Sequence, residues 1–88
     1  MYGRLITFTL LAPSLWSVVE AVAKSYDGDV YSRHLFKSSD NSGFIVEVFS
    51  SKEHAGDRID VLKAMQGLKE QAMAKVAIIE GIDIQLLV

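Results

Sequence analysis

From Arg4 to Leu11 the chain alternates, with Ile6, Phe8 and Leu10 on one side and Thr7 and Thr9 on the other. That two-residue period is the signature of a half-buried strand. Pro13 suits the first turn of a helix, where its missing N–H costs nothing, so Pro13 or Ser14 marks a helix start. Leu15, Val18, Val19, Val22 and Tyr26 follow at helical spacing, with Ser17, Glu20 and Lys24 opposite them. This predicts an amphipathic helix of about three turns, ended by Asp27-Gly28-Asp29.

Val30 to Lys37 reads as a second strand, interrupted by Arg33 and His34. The turn-forming run from Ser38 to Gly43 predicts a hairpin into a third strand, in which Phe44, Val46 and Val48 alternate with Ile45, Glu47 and Phe49. Beyond the polar stretch 50–57, Ile59, Leu62, Met65, Leu68, Ala72, Val76 and Ile79 form a second helical stripe that can run to Glu80, with Gly81 as its cap. Residues 74–80 fit a helical or an extended backbone equally. Ile82, Ile84, Leu86 and Val88 then alternate with Asp83, Gln85 and Leu87, predicting a last strand.

The resulting order, β-α-β-β-α-β, defines a ferredoxin-like α+β sandwich: a four-stranded antiparallel sheet with two helices on one face. We expect Ile6, Phe8, Leu10, Phe44, Val46, Val48, Ile82, Ile84 and Leu86 to face the helices. The opposite face would then carry Thr7, Thr9, Glu47, Asp83 and Gln85 together with Ile45, Phe49 and Leu87. Such a mixed surface fits either scattered surface hydrophobes or contact with a second copy of the chain. Trp16, Ile45 and Phe49 are the interface candidates.

Composition narrows the reading. The 88 residues, half of them hydrophobic, fit one domain spanning 1–88 with little surplus stability, and a homodimer is the default expectation. A net charge of −2 with scattered Lys and Arg disfavours nucleic acid. No apolar run reaches the ~20 residues of a membrane-spanning helix, so no membrane is expected and a cytoplasmic protein is. Without cysteine there is no disulfide, thiolate metal site or thiol nucleophile.

Specific chemistry is sparse. His34 and His54 lie far apart in sequence, with no H-x-H or H-x-x-x-H spacing, so we expect neither a metal nor a cofactor. The serines cluster where turn chemistry accounts for them, and no glycine spacing cradles a phosphate. The third strand, "SGFIVEVF", lacks the central aromatic and the basic residue of an RNA-stacking strand, and Glu47 adds negative charge. No catalytic residue is assigned.

The run "TLLAPSLWSVVEAVAKSYDGDVYSRHLFKSSDNSGFIVEVFSS" resembles the start of an ACT domain, a small regulatory module that commonly binds amino acids. The layout carries the likeness: a strand, a Pro-led turn, a Leu before an apolar helix, then two strands joined by a hairpin. The family's usual Pro-Gly is Pro13-Ser14 here. The resemblance implies ligand binding at the helix start, by Ala12, Pro13, Ser14 and Leu15, where free N–H groups and the helix dipole favour a carboxylate. Ser14 as a mere helix cap is the simpler reading of that residue.

The sequence therefore points to a non-enzymatic, ACT-like homodimer that senses an amino acid or similar small ligand, or regulates a partner protein. Two alternatives stand beside it. One is an assembly or adaptor module with no small ligand. The other is a small dimeric ferredoxin-fold enzyme with a pocket between sheet and helices, in which His34 would be the ring available for acid-base work.

Overall fold

A computed structural model describes residues 1–25 and 32–86. The first strand, β1 (Tyr2–Leu10), leads through a 3-10 turn at Pro13–Leu15 into α1 (Trp16–Ser25). β2 (Ser32–Lys37) and β3 (Ser42–Phe49) form the expected hairpin. Three short helices follow: α2 (Lys52–Asp57), α3 (Asp60–Gly67) and α4 (Lys69–Ala72). β4 (Met73–Ile82) completes an antiparallel sheet in the order β2-β3-β1-β4. This is the ferredoxin-like α+β sandwich. The expectations for Tyr26, the Asp27–Asp29 turn, the start of the second strand at Val30, and Leu87 and Val88 lie outside the described residues.

The core lies between the sheet and the helices. Ile6, Phe8 and Leu10 of β1 and Ile45 of β3 meet Val19 of α1 and Val61 and Met65 of α3, all buried. Val61 and Met65 are four apart, one helical turn on the same face. Tyr2, Phe49 and Ala55 form a second cluster under α2. Ser51 caps α2: its backbone is extended and its hydroxyl accepts a hydrogen bond from the His54 N–H at 3.1 Å.

Two expectations are corrected. First, β3 has the reverse facing. Cross-strand partners share a face, and Ile45 pairs with Ile6 while Glu47 pairs with Arg4. Ile45, Glu47 and Phe49 therefore lie under the helices, and Phe44, Val46 and Val48 lie on the open face. Ile45 and Phe49 are completely buried within the protomer, so neither presents a surface. Trp16, half-buried, packs edge-on against Phe8, ring centres 5.4 Å apart.

Second, the long second helix is two short ones, α3 and α4, preceded by α2 in the stretch expected to be a polar lead-in, and the last strand starts at Met73 rather than Ile82. Val76, Ala77, Ile78 and Ile79 pair with β1 opposite Phe8, Thr7, Ile6 and Leu5. A strand beside β1 gives this β-branched run full backbone hydrogen bonding, which outweighs the three-to-four spacing of its apolar residues. The expected last strand, beyond Ile82, is exposed non-strand chain from Asp83 to Leu86. Among the described residues no helix is long and apolar enough to cross a membrane.

Candidate functional site

At the seam of α1 and β2 lies a pocket of about 310 Å³ lined by Pro13, Trp16, Glu20, Leu35 and Lys37. The 3-10 turn sets its mouth: the Leu15 N–H donates to the Ala12 carbonyl at 3.1 Å, bringing Pro13 alongside Trp16. Glu20 follows Trp16 by one helical turn, so both lie on the same side of α1. Leu35 and Lys37, two apart on β2, share the face of the sheet turned to the helices.

Three contacts hold the Trp16 ring. Its Nε1–H donates to the Asp40 carbonyl at 2.7 Å, tying α1 to the β2–β3 turn. Phe8 supports it edge-on, and the Lys37 ammonium lies 5.6 Å from the ring centre, within cation–π range. Gly43 makes the close approach possible. A Cβ there would stand 2.6 Å from Trp16 Cη2 and would collide with the Phe36 carbonyl oxygen. The pocket thus combines a rigid aromatic wall, aliphatic sides from Pro13 and Leu35, one carboxylate and one ammonium. Such a set can hold a flat apolar body, accept a proton from it and stabilise the resulting anion.

A second polar group lies deeper, toward α2, and is structural. Arg4, 2% exposed, donates from Nε to Glu80 at 2.5 Å and from its terminal nitrogens to the carbonyls of Arg58 at 2.8 Å and Ala55 at 2.7 Å. Its guanidinium also lies over the Phe49 ring, 4.9 Å from the centre. Glu47, 1% exposed, accepts from Arg33 Nε at 2.9 Å through one oxygen, and its other oxygen lies 3.5 Å from Arg4. Among the described residues that second oxygen accepts no hydrogen bond. Two arginines and two glutamates therefore bind β1, β2, β3, β4 and the α2 turn together. The Tyr2 hydroxyl donates to Glu80 at 3.3 Å, and burial, reinforced by the Glu80 charge, raises its pKa above the ordinary phenol value.

Of the residues selected from sequence, Pro13 and Trp16 line the pocket, whereas Ala12, Ser14 and Leu15 are outside its lining. Pro13 and Ser14 are exposed, and the hydrogen bond at Ser14 is accepted by its carbonyl, from the Ser17 hydroxyl. His34 is exposed on the opposite face of the sheet, tilted against Phe36, and cannot act as a base in a pocket between sheet and helices. His54 Nδ1 pairs with the Ser50 hydroxyl at 2.7 Å beside Phe49. Among the described residues no three His, Cys, Asp or Glu side chains converge as a metal would require. Glu20 was findable, one turn after Trp16 on the helical spacing. Lys37 carried no signal, because its place depends on the facing of β2.

With sheet order and site in view, the class is defined: a two-layer ferredoxin-like chain with a pocket between its layers. No family model matches the sequence, and no curated protein matches it. Solved structures do match over nearly the whole chain. Rv0793 from Mycobacterium tuberculosis superposes with a TM-score of 0.76 at 14% identity, covering 99% of this chain and 98% of that one. SnoaB from Streptomyces nogalater, a cofactor-independent oxygenase, gives 0.72 at 16% identity, covering 98% and 95%. A Deinococcus radiodurans chain provisionally named an antibiotic biosynthesis monooxygenase gives 0.74 at 15% identity, covering 99% of each.

At these identities the likeness establishes the fold. It also overturns the expectation of a non-enzymatic, amino-acid-binding regulator. The neighbours with a named activity are oxygenases, and the resemblance to ACT domains reduces to the ferredoxin-like topology. The enzyme alternative is the better supported one, although without His34 in the role first given to it.

Proposed function

We propose that this chain is a small oxygenase of the cofactor-independent type, acting on an electron-rich, planar aromatic substrate held against Trp16. The supporting observation is the pocket at the α1–β2 seam, where an immobilised indole, a carboxylate and an ammonium converge on a fold shared with SnoaB. Dioxygen is a triplet and reacts slowly with closed-shell molecules. An oxygenase using no metal or flavin must draw its electrons from the substrate, which therefore has to become a stabilised carbanion.

A benzylic methylene between aromatic rings meets that requirement. Glu20 takes its proton and Lys37 stabilises the delocalised anion. The anion passes one electron to dioxygen, the two radicals combine, and the peroxide collapses with loss of water. The balance is one diaryl methylene and one dioxygen giving one diaryl ketone and one water. One oxygen atom goes into the ketone; the other leaves with the two methylene hydrogens. Trp16 orients the ring system.

The test is oxygen uptake by the purified chain with a panel of polycyclic phenols bearing such a methylene, with and without a chelator. The expected result is one dioxygen consumed per substrate, unaffected by chelation, with Lys37→Met lowering kcat by about 10²-fold or more. No uptake across the panel, or equal rates in wild type, Lys37→Met and Glu20→Gln, would refute the proposal.

A further inference from the structure

The seam between α1 and β2 continues inward past the pocket, and its two sides keep step. On β2, Lys37, Leu35 and Arg33 share the face turned to the helices and follow one another at about 6.6 Å, two residues of strand each. Opposite them Trp16, Glu20 and Ala23 succeed one another along α1 at about 6 and 4.5 Å. The neighbouring strand changes at each level: Lys37 pairs with Gly43, Leu35 with Ile45 and Arg33 with Glu47. The mouth therefore has a glycine beside it, the middle a buried isoleucine and the far end an ion pair.

Leu35 is where the pocket stops. It lines the pocket, whereas Arg33, one level further in, does not. The Leu35 side chain is half-buried and packs against the core between sheet and helices, which holds it in place. Arg33 seals the seam behind it. Its Nε donates to Glu47 at 2.9 Å and a terminal nitrogen donates to the Ala23 carbonyl at 3.2 Å, so the side chain crosses from the sheet to α1. The space in front of Leu35, about 310 Å³, is twice the ~150 Å³ of a cavity that holds one benzene, which leaves room for roughly two aromatic rings. Polarity is graded in the same direction: Glu20 and Lys37 are exposed at the mouth, and Leu35 at the inner end offers a ligand no hydrogen bond.

We propose that Leu35 is the specificity-determining residue of this pocket, limiting its ligand to a planar aromatic of two rings with one anionic group. The ligand is seated ring-first, with an unsubstituted ring against Leu35 and the anion at Lys37. The substrate of the oxygenase reading, on which this rests, narrows to two aromatic rings joined by the reactive methylene. Entry by the polar end is disfavoured, because its hydrogen-bonding groups would be buried against Leu35 without partners and its charge taken away from Lys37. A third ring in line has no space at the inner end. It must push the anion outward past Lys37 or displace a side chain packed into the core.

Trp16 is the chain's one tryptophan, so its indole N–H gives a single nuclear magnetic resonance signal at the pocket wall. The test follows that signal while the whole chain is titrated with benzoate, 2-naphthoate and anthracene-2-carboxylate. Wild type should bind 2-naphthoate about tenfold more tightly than benzoate, for the apolar area of the second ring, and anthracene-2-carboxylate should gain nothing further. Leu35→Ala opens the seam toward Arg33, so anthracene-2-carboxylate should tighten at least about tenfold while 2-naphthoate does not. Leu35→Phe should act in the opposite sense, weakening 2-naphthoate at least about tenfold and sparing benzoate. Its side chain is apolar and favours strands, so it decides the matter if Leu35→Ala fails to fold. Lys37→Met should weaken all three acids and keep their order. An unmoved indole signal with every acid, a wild-type preference for the three-ring acid, or one order of affinity in wild type and the Leu35 variants overturns the proposal; unchanged affinities in Lys37→Met overturn it equally. A size order that holds while no methylene compound consumes dioxygen supports it and refutes the oxygenase reading alone.

Discussion

Glu47→Gln tests whether the buried ion cluster holds the sheet and α2 together. The substitution keeps the shape of the side chain and removes one charge from a group 1% exposed, 2.9 Å from Arg33 and 3.5 Å from Arg4. Removing one partner of a buried pair costs about 3–5 kcal/mol, because the remaining charge stays desolvated. Arg4 keeps Glu80 and two backbone carbonyls, so the lower end, about 3 kcal/mol, is expected. For a domain of this size that lowers the melting temperature by roughly 12 to 24 °C. Urea unfolding followed by circular dichroism and Trp16 emission gives the free energy. A cycle with Arg33→Gln then isolates the Glu47–Arg33 coupling. A loss below about 1 kcal/mol, or a coupling under about 0.5 kcal/mol, would show that the cluster is solvated in solution and would refute the reasoning.

Three further outcomes follow. Gly43→Ala should cost about 1–3 kcal/mol, since its methyl group meets a backbone carbonyl and the pinned indole, and Trp16 emission should shift to the red; unchanged emission would mean the ring is loosely seated. Phe8→Ala should cost about 3–5 kcal/mol in urea unfolding, and a near-neutral result would contradict its place in the central strand. Burial raises the Tyr2 pKa, with Glu80 adding to it, so the folded chain holds a proton that the unfolded chain releases above about pH 10. That stability is complete below the unfolded value and is lost as pH rises through the folded one. Melting temperatures followed into alkali should therefore fall more steeply in wild type than in Tyr2→Phe, and parallel curves would remove Tyr2 from the cause.

The element order was legible because β1 and α1 obey one period each: Thr7 and Thr9 separate Ile6, Phe8 and Leu10, and the helical stripe is flanked by Ser17, Glu20 and Lys24. β3 was legible as a strand but not in its facing. Both of its sides are apolar, and the tie is broken by Glu47, whose charge argues for water unless its arginine partners are foreseen. Those partners come from β1 and β2, so the fact is tertiary. The stretch 74–80, which fits a helical or an extended backbone equally by sequence, was undecided for a related reason. Ala72, Val76 and Ile79 satisfy a helical stripe, but Val76 to Ile79 is also a short apolar run, and only the need of β1 for a second neighbour selects the strand. The pocket was half legible. Trp16 was singled out for its position beside the stripe, whereas Gly43, which admits its ring, looked like turn chemistry.

These two misreadings have a common physical root. The protomer buries Arg4 and Glu47 against its helices while leaving Ile79 and Phe36 in water on the other side of the same sheet. In a monomer with one wet sheet face that distribution is inverted, because the charges would be cheaper outside and the isoleucine inside. The helix side holds fixed charges that tie α2 to the sheet and sets Trp16 at the pocket, while the open side carries Phe36 and Ile79 exposed.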